Sequence, residues 1–579
     1  MFTHRIVTLH KPFLFFCFVF FLLRLSAQVF PAKNYPKGYF IYPVQAKPGL
    51  AANFGELRPN HYHMGLDCKT DHRQNVHVVA AAEGYIAHVR IEPAGFGRAI
   101  YINHPNGLTT VYGHLNDFYP ELEKYVKGQQ YKLQSWQVFL EIPANLFPIK
   151  QGQFIAFSGN TGGSQGPHCH FEIRNTKTDK VLNPSLFSFP IPDNVPPKLI
   201  RLAMYDRCIS TYSQSPKLFA LKKVNGKYSP SSSLMIANTD KVSFGISAVD
   251  NYTGSANPNG IYEAVIYNND VAVSGFQLDN ISYDETRYLN AHIDYKLRAG
   301  GGPFVEHLSR LPGYPEGIYK DFESEGVINL EDESIHQIKV EVKDAYGNLS
   351  VLQFTVRRGL INESKYKKDA AQPKFTPGFV NVFEKDDIQV ILSEKDLYDS
   401  VNFVYAKKNT TTPQAVSALH SVHTALVPVH GYYTVRLKAD ASLQNIHVDK
   451  IVMQRTWGSK VDVLKPERDG DWFTAKFREF GDFQLLVDDV PPVISSIGIS
   501  EGSNLSRASQ IIFTVTDNLK EIKNFRAELD GKWLRFTNDK GRSFIYKFDE
   551  MCPPGNHELK ISVDDEAGNQ TKKVFHFVR

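Results

Sequence analysis

At roughly 150 residues per domain, a chain of 579 residues has room for about four domains. Hydrophobic residues make up 42% and charged residues 22%, with a mean hydropathy of −0.30, which excludes a disordered chain and a polytopic membrane protein. A formal charge of +4 leaves no basic footprint for nucleic acid, and 40 Phe, 28 Tyr, 39 Gly and 32 Pro against 6 Met favour short strands joined by tight turns.

In chain order, the first segment reads as a leader. Arg5 and Lys11 precede an apolar run at 13–23 (FLFFCFVFFLL), and Ser26-Ala27 follows it. A basic start, an apolar stretch of about 7–15 residues and a small residue at the exit describe a secretory signal peptide over residues 1–27. The run falls short of the ~20 apolar residues that span a bilayer, so no stable membrane span is expected after cleavage. The expected destination is outside the cytoplasm, in the periplasm or at the cell surface. Removing Arg5, Lys11 and Arg24 with the leader takes the formal charge of +4 down to +1. Cys68, Cys169, Cys208 and Cys552 then remain, too few for a disulfide framework.

Residues 28–190 hold nine of the 20 histidines, and their spacing carries the chemistry. In HYHMGLDC (61–68), His63 and Asp67 share one strand face, and Gly65 between them permits a bend. In GPHCHFEIR (166–174), His168, His170 and Glu172 share one face while Cys169, Phe171 and Ile173 share the other. TTVYGHL (109–115) places His114 after a hairpin signalled by Pro105-Asn106-Gly107. Imidazole and carboxylate suit a zinc ion, and three protein ligands leave a fourth position open for chemistry.

The stretch NFGELR (53–58), then HMGLD, VYGHL and GNTGGSQGPHCHFEIR (159–174), resembles the lysostaphin/LytM-type zinc metallopeptidases. The resemblance covers roughly residues 40–190. It implies an antiparallel β-sheet domain that hydrolyses peptide bonds of peptidoglycan cross-links or stem peptides. It further implies Zn2+ held by His63, Asp67 and His170, with the catalytic histidines His114 and His168 beside the metal but not ligating it. There is no His-Glu-x-x-His helix to supply a glutamate base, so one of those two histidines takes the proton of the attacking water, and the pair stabilises the oxyanion. The expected partner is peptidoglycan or another extracellular peptide. The alternative is a catalytically inactive binding or activator module for another cell-wall enzyme. The run between His114 and Gly159 departs from minimal members and reads as an insertion near the cleft.

Two readings stay open on neighbouring residues. Glu172 either orients a ligand imidazole or forms an exposed salt bridge with Arg174. Cys68 and Cys169 are either small core residues beneath the site or a disulfide joining the two ligand strands.

Beyond residue 190 the chain reads as three further β-rich modules. Residues 336–358 (HQIKVEVKDAYGNLSVLQFTVRR) repeat at 557–579 (HELKISVDDEAGNQTKKVFHFVR), each an alternating strand, an Asp-x-x-Gly-Asn turn and a second alternating strand. Asp193-Asn-Val-Pro-Pro197 likewise matches Asp489-Val490-Pro491-Pro492 with Asp488 before it. The expected architecture is all-β: an antiparallel metallopeptidase domain at 28–190, an immunoglobulin-like β-sandwich at 195–358 with an insertion near Gly300, a β-rich domain at 360–489 and an immunoglobulin-like sandwich at 490–579. No long helical period is visible, no constellation in 195–579 calls for chemistry, and the partner of these modules is unspecified. His420, His423 and His430 read as strand or loop histidines with ordinary hydrogen-bond partners.

Overall fold

The computed structural model describes residues 29–579 apart from 32, 316, 323, 362–371, 411, 441–446, 520–521 and 542. The signal-peptide expectation at 1–27 lies outside the described residues. Strand accounts for 47% of the chain and helix for 7%, so the fold is all-β, as the composition implied. Among the described residues, no helix is long and apolar enough to cross a membrane.

The alternation in residues 168–174 organises the N-terminal sheet. The strand His168–Asn175 sends Cys169, Phe171 and Ile173 into an apolar core with Leu66, Cys68, Ile86, Ile100 and Tyr112. Complete burial of a side chain such as Phe171 contributes on the order of 1.5–3 kcal/mol, so the register of this strand is strongly set. From one edge the sheet runs Leu50–Ala52, Leu66–Lys69, His168–Asn175, Leu108–Gly113, Arg98–Asn103, Gly84–Ile91 and Val138–Glu141, with every neighbouring pair antiparallel. The Pro105-Asn106-Gly107 turn joins Arg98–Asn103 to Leu108–Gly113 as expected. His170 therefore lies opposite Asp67 on one side and Gly113 on the other. That register brings three distant motifs together.

One expectation is corrected. The segment between His114 and Gly159 contains a 14-residue helix, Pro120–Leu133, where no helical period was read. Pro120 opens it, Glu121 and Glu123 sit in the first turn, and Lys132 sits in the last, all favourable to the helix dipole. Its buried stripe is Leu122, Val126 and Gln130, and the polar third position hides the periodicity. Gln130 is satisfied there by accepting from Arg535 Nη1 (3.1 Å) and donating from Nε2 to the carbonyl of Trp136.

The two copies of the Asp-x-x-Gly-Asn repeat form the same hairpin. His336–Lys343 pairs with Leu349–Arg358, and Asn556–Asp565 pairs with Gln570–Val578. In each turn the Asn backbone N–H and side-chain amide both donate to the Asp carboxylate. Asn348 does so to Asp344 at 2.9 and 2.7 Å, and Asn569 to Asp565 at 2.8 and 2.8 Å. Gly347 and Gly568 take the left-handed φ of 90° and 81° that the turn requires.

Between the copies lie two five-stranded sheets around a core that includes Tyr433, Phe473 and Phe483. His420 and His430 meet the hydroxyls of Tyr405 (3.0 Å) and Tyr398 (2.9 Å) through Nδ1, but Nε2 of His420 and of His423 is buried with no hydrogen-bond partner, so the reading of ordinary partners holds only in part. Short helices Leu289–His292 and Tyr295–Ala299 occupy the insertion before Gly300.

Candidate metal centre

His63 reaches the site because the chain bends after the short strand His61–Tyr62 and re-enters the sheet at Leu66–Lys69. Gly65 makes that bend possible. A Cβ there would lie 2.5 Å from the Phe171 carbonyl oxygen and 2.9 Å from the His170 ring. His63 and Asp67 thus converge through a bend and not along one continuous strand.

The donor atoms meet closely. His63 Nε2 is 2.9 Å from Asp67 Oδ1 and 3.1 Å from His170 Nδ1, and His170 Nδ1 is 3.0 Å from Asp67 Oδ1. All three residues are buried. The second nitrogen of each ring is taken: His63 Nδ1 donates to the Asn53 carbonyl (2.7 Å), and His170 Nε2 donates to Glu172 Oε1 (3.0 Å). These partners assign the tautomers that leave His63 Nε2 and His170 Nδ1 as lone-pair donors into the cluster. Two imidazole nitrogens and one carboxylate, with both tautomers held from behind, fit a borderline divalent metal with one position left open.

The electrostatics agree. Burial opposes the charge on Asp67, but His63, His168 and His170 outweigh it and hold the carboxyl well below the usual range. Burial also disfavours a charged His170, yet the Asp67 and Glu172 carboxylates push it up to about 9 in the metal-free cluster. Glu172, fully buried, is lowered to about 2 because Arg174 and His170 together overcome its burial.

Of the two readings of Glu172, the structure joins elements of both. It orients His170, and it pairs with Arg174 through Nε and Nη2, each at 2.7 Å, but the pair is buried and not exposed. Tyr283 completes the arrangement, donating its hydroxyl to Glu172 Oε1 at 2.5 Å and placing its ring under the Arg174 guanidinium. Tyr283 comes from a segment more than 100 residues downstream, and no local pattern in the sequence marks it. Arg58, 3.6 Å from Asp67 Oδ2, and Asn53, behind His63, were also missed as site residues, although both lie within the NFGELR stretch.

His114 and His168 stand beside the cluster, ring centres 4.8 Å apart. His114 sits at a left-handed φ of 59°, which turns its ring into the cleft directly after Gly113. Its Nδ1 donates to the Thr161 carbonyl at 2.8 Å, leaving Nε2 as an acceptor. Burial, then His168 and His170, lower His114 to about 3, so its ring is neutral at pH 7. His168 Nδ1 donates to the Gly166 carbonyl at 2.8 Å, and its Nε2 lies 3.3 Å from Asp67 Oδ1. Cys68 and Cys169 face each other across the strand pair as buried free thiols in the core, on the side away from the ligands.

The far rim is built from the last module. Asp539 accepts from the Gly162 N–H (2.8 Å), Lys540 N donates to the Pro93 carbonyl (2.8 Å), and Lys540 Nζ donates to the Ser164 carbonyl. The helix Pro120–Leu133 supports this contact through Lys127, which pairs with Asp549 (2.7 Å) and Glu550 (2.8 Å).

Residues 61–131 match the family model described as Peptidase family M23, and residues 374–488 match a Zu5-like domain. A protein named uncharacterized metalloprotease from Haemophilus influenzae is 29% identical over 163 residues, which is 27% of this chain and 28% of that one. The DD-carboxypeptidase/endopeptidase Mpg of Neisseria meningitidis is 28% identical over 170 residues, covering 29% of this chain and 30% of that one. The N-terminal domain is of the lysostaphin/LytM type. The chain spans less than a third of the length of these curated relatives. Among solved structures, the catalytic domain of lysostaphin from Staphylococcus simulans is 23% identical over 24% of this chain and 90% of that chain, with a TM-score of 0.18.

Proposed function

We propose that the protein is an exported zinc metalloendopeptidase that hydrolyses peptide bonds in peptidoglycan cross-links or stem peptides. The observation that carries this reading is the convergence of His63 Nε2, Asp67 Oδ1 and His170 Nδ1 within 3.1 Å of one another, with His114 and His168 at its edge. A Zn2+ ion held by these three residues supplies a Lewis acid for the scissile carbonyl and lowers the pKa of the attacking water toward ~7. The rest of the chemistry belongs to the chain. His114, neutral and anchored through Nδ1, presents Nε2 to accept a proton. His168, anchored in the same manner, lies across from it, and a ring that has taken the water proton then donates Nε2–H to a tetrahedral oxyanion between the two. Glu172, Arg174 and Tyr283 keep the His170 ring in its ligating tautomer.

Support for a peptidoglycan substrate comes from the Mpg relatives, named as DD-carboxypeptidase/endopeptidase. The test uses the full mature chain, with bound zinc measured and the products of peptidoglycan digestion identified by mass. His170→Ala is expected to lose both metal and hydrolysis. His114→Ala is expected to keep the metal and lose activity by ~100-fold or more, the usual scale for a general base. Hydrolysis retained in His170→Ala overturns the mechanism, and a wild type that binds no zinc overturns the enzyme reading.

A further inference from the structure

The sequence showed no constellation beyond residue 190, yet the tertiary structure assembles a second cluster of ligand type. Asp193 precedes the strand Lys198–Asp206, Asp250 follows Lys241–Val249, and Asp344 follows His336–Lys343. Three strands end at one place, and one carboxylate oxygen from each lies within 4.8 Å of the others. Asp250 and Asp344 are each only 2% exposed.

Hydrogen bonds account for part of this charge. Asp344 accepts from the N–H groups of Tyr346 and Asn348 and from the Asn348 amide, and Asp193 Oδ1 accepts from Val195 N (3.1 Å). Asp250 Oδ1 and Asp193 Oδ2 are buried and meet no hydrogen-bond donor. The largest influences on the three carboxyls are burial, neutral hydrogen-bond donors and, for Asp193 and Asp250, the neighbouring carboxylates. Buried carboxylates that are neither paired nor hydrogen-bonded are strongly disfavoured. Burial, Asp344 and Asp193 together push the Asp250 carboxyl up to about 8.

We propose that Asp193, Asp250 and Asp344 form a calcium site at the junction of the LytM-type domain and the module that follows it. An oxygen-only donor set selects a hard cation over zinc. Among hard cations, Ca2+ takes several carboxylates in a flexible geometry, whereas Mg2+ demands near-ideal octahedral geometry and is held by only one or two protein carboxylates.

The repeat supplies an internal contrast. Asp488, Asp517 and Asp565 occupy the matching positions in the last module, but there Asn518 Nδ2 donates to Asp488 Oδ1 at 3.0 Å. In the first copy the matching Asn251 turns away and donates to the Asn257 carbonyl at 2.8 Å. An amide thus engages the Asp488 carboxylate in the last copy, while the matching Asp193 carboxylate in the first copy has no such partner from Asn251.

The position gives the site a role. The loop leaving Asp250 runs to Gly260, whose N–H and carbonyl bond the Asn53 side chain at 2.9 and 2.8 Å. The Asn53 carbonyl in turn holds His63 Nδ1. Calcium at the three carboxylates fastens the loop that braces a zinc ligand from behind.

The experiment titrates CaCl2 and, separately, MgCl2 into the zinc-loaded full mature chain, with heat of binding and thermal unfolding as readouts. Sites in extracellular modules have Kd values of ~0.1–1 mM, so the titration runs to about 5 mM. The wild type is expected to take up one Ca2+ at least ~10-fold more tightly than Mg2+ and to melt several degrees higher with calcium present. Asp250→Asn and Asp193→Asn are expected to lose both effects, and Asp517→Asn to retain them. Asp193 is the more exposed of the two, so its variant carries the comparison if Asp250→Asn fails to fold. The proposal is overturned by a wild type indifferent to calcium, by uptake retained in the Asp193 variant, by equal loss in Asp517→Asn, or by magnesium binding as tightly.

Discussion

The tightest test of the metal centre is Glu172→Gln, which keeps the side chain's shape and removes its charge. Glu172 uses Oε1 for His170 Nε2 (3.0 Å) and Tyr283 (2.5 Å), and Oε2 for a hydrogen bond from Arg174 Nε and an ion pair with Arg174 Nη2 (2.7 Å each). A glutamine has one acceptor oxygen for these two sides. If its oxygen faces His170, its NH2 confronts two buried guanidinium donors. If its oxygen faces Arg174, its NH2 points at His170 Nε2, which must then carry the lone pair, so the ring proton moves to Nδ1. That is the nitrogen aimed at Asp67 and the metal. Removal of a group holding a ligating imidazole weakens metal binding by 10–100-fold, about 1.4–2.7 kcal/mol. Arg174 adds a stability loss approaching ~3–5 kcal/mol, because its other carboxylate, Asp179 at 3.0 Å, is largely exposed and screened. The assay is zinc affinity by competition with a chromophoric chelator, alongside thermal unfolding of the metal-free and zinc-loaded protein. An unchanged zinc affinity would falsify the assignment of Glu172 as the group that sets the His170 tautomer.

Three further outcomes are expected. Tyr283→Phe removes a hydroxyl bonded to an ionised carboxylate, worth about 1.5–3 kcal/mol, and should weaken zinc binding by up to ~10-fold while leaving the fold intact; wild-type affinity in this variant would show that the Tyr283 hydroxyl has no part in holding His170. Gly65→Ala forces a Cβ against the Phe171 carbonyl and the His170 ring, so it should lower stability by ~1–3 kcal/mol and reduce bound zinc, read by melting and metal analysis. In the region of residues 374–488, burial lowers His423 from 6.5 to about 4, and burial with Arg478, Arg287 and Lys395 does the same to His430. The unfolded chain therefore binds protons first, so stability should fall as pH drops from about 6.5 to about 4 and level off below, with His430→Gln flattening that slope in pH-dependent melts.

The LytM-type domain was legible because its motifs are local and its strands are half-buried. Alternation alone placed His168, His170 and Glu172 on one face and Cys169, Phe171 and Ile173 on the other, and the Pro-Asn-Gly turn announced its hairpin. The helix Pro120–Leu133 escaped because its third buried position is a glutamine satisfied only by partners outside the helix. The repeat was legible as strand–turn–strand, but the carboxylate cluster it helps to build was not.

By itself the amino-acid sequence determined the all-β composition and the paired Asp-x-x-Gly-Asn hairpins, which are written in spacings of a few residues where backbone periodicity decides which side chains share a face. The grouping of His63, Asp67 and His170 with His114 and His168 came from the resemblance to the LytM-type peptidases. The tertiary structure alone decided that Tyr283 grips Glu172, that Asp539 and Lys540 line the cleft from more than 350 residues away, and that Asp193, Asp250 and Asp344 meet. Contacts of that kind depend on how sheets and modules pack against one another, and burial of apolar surface sets that packing without leaving a periodic trace in the chain.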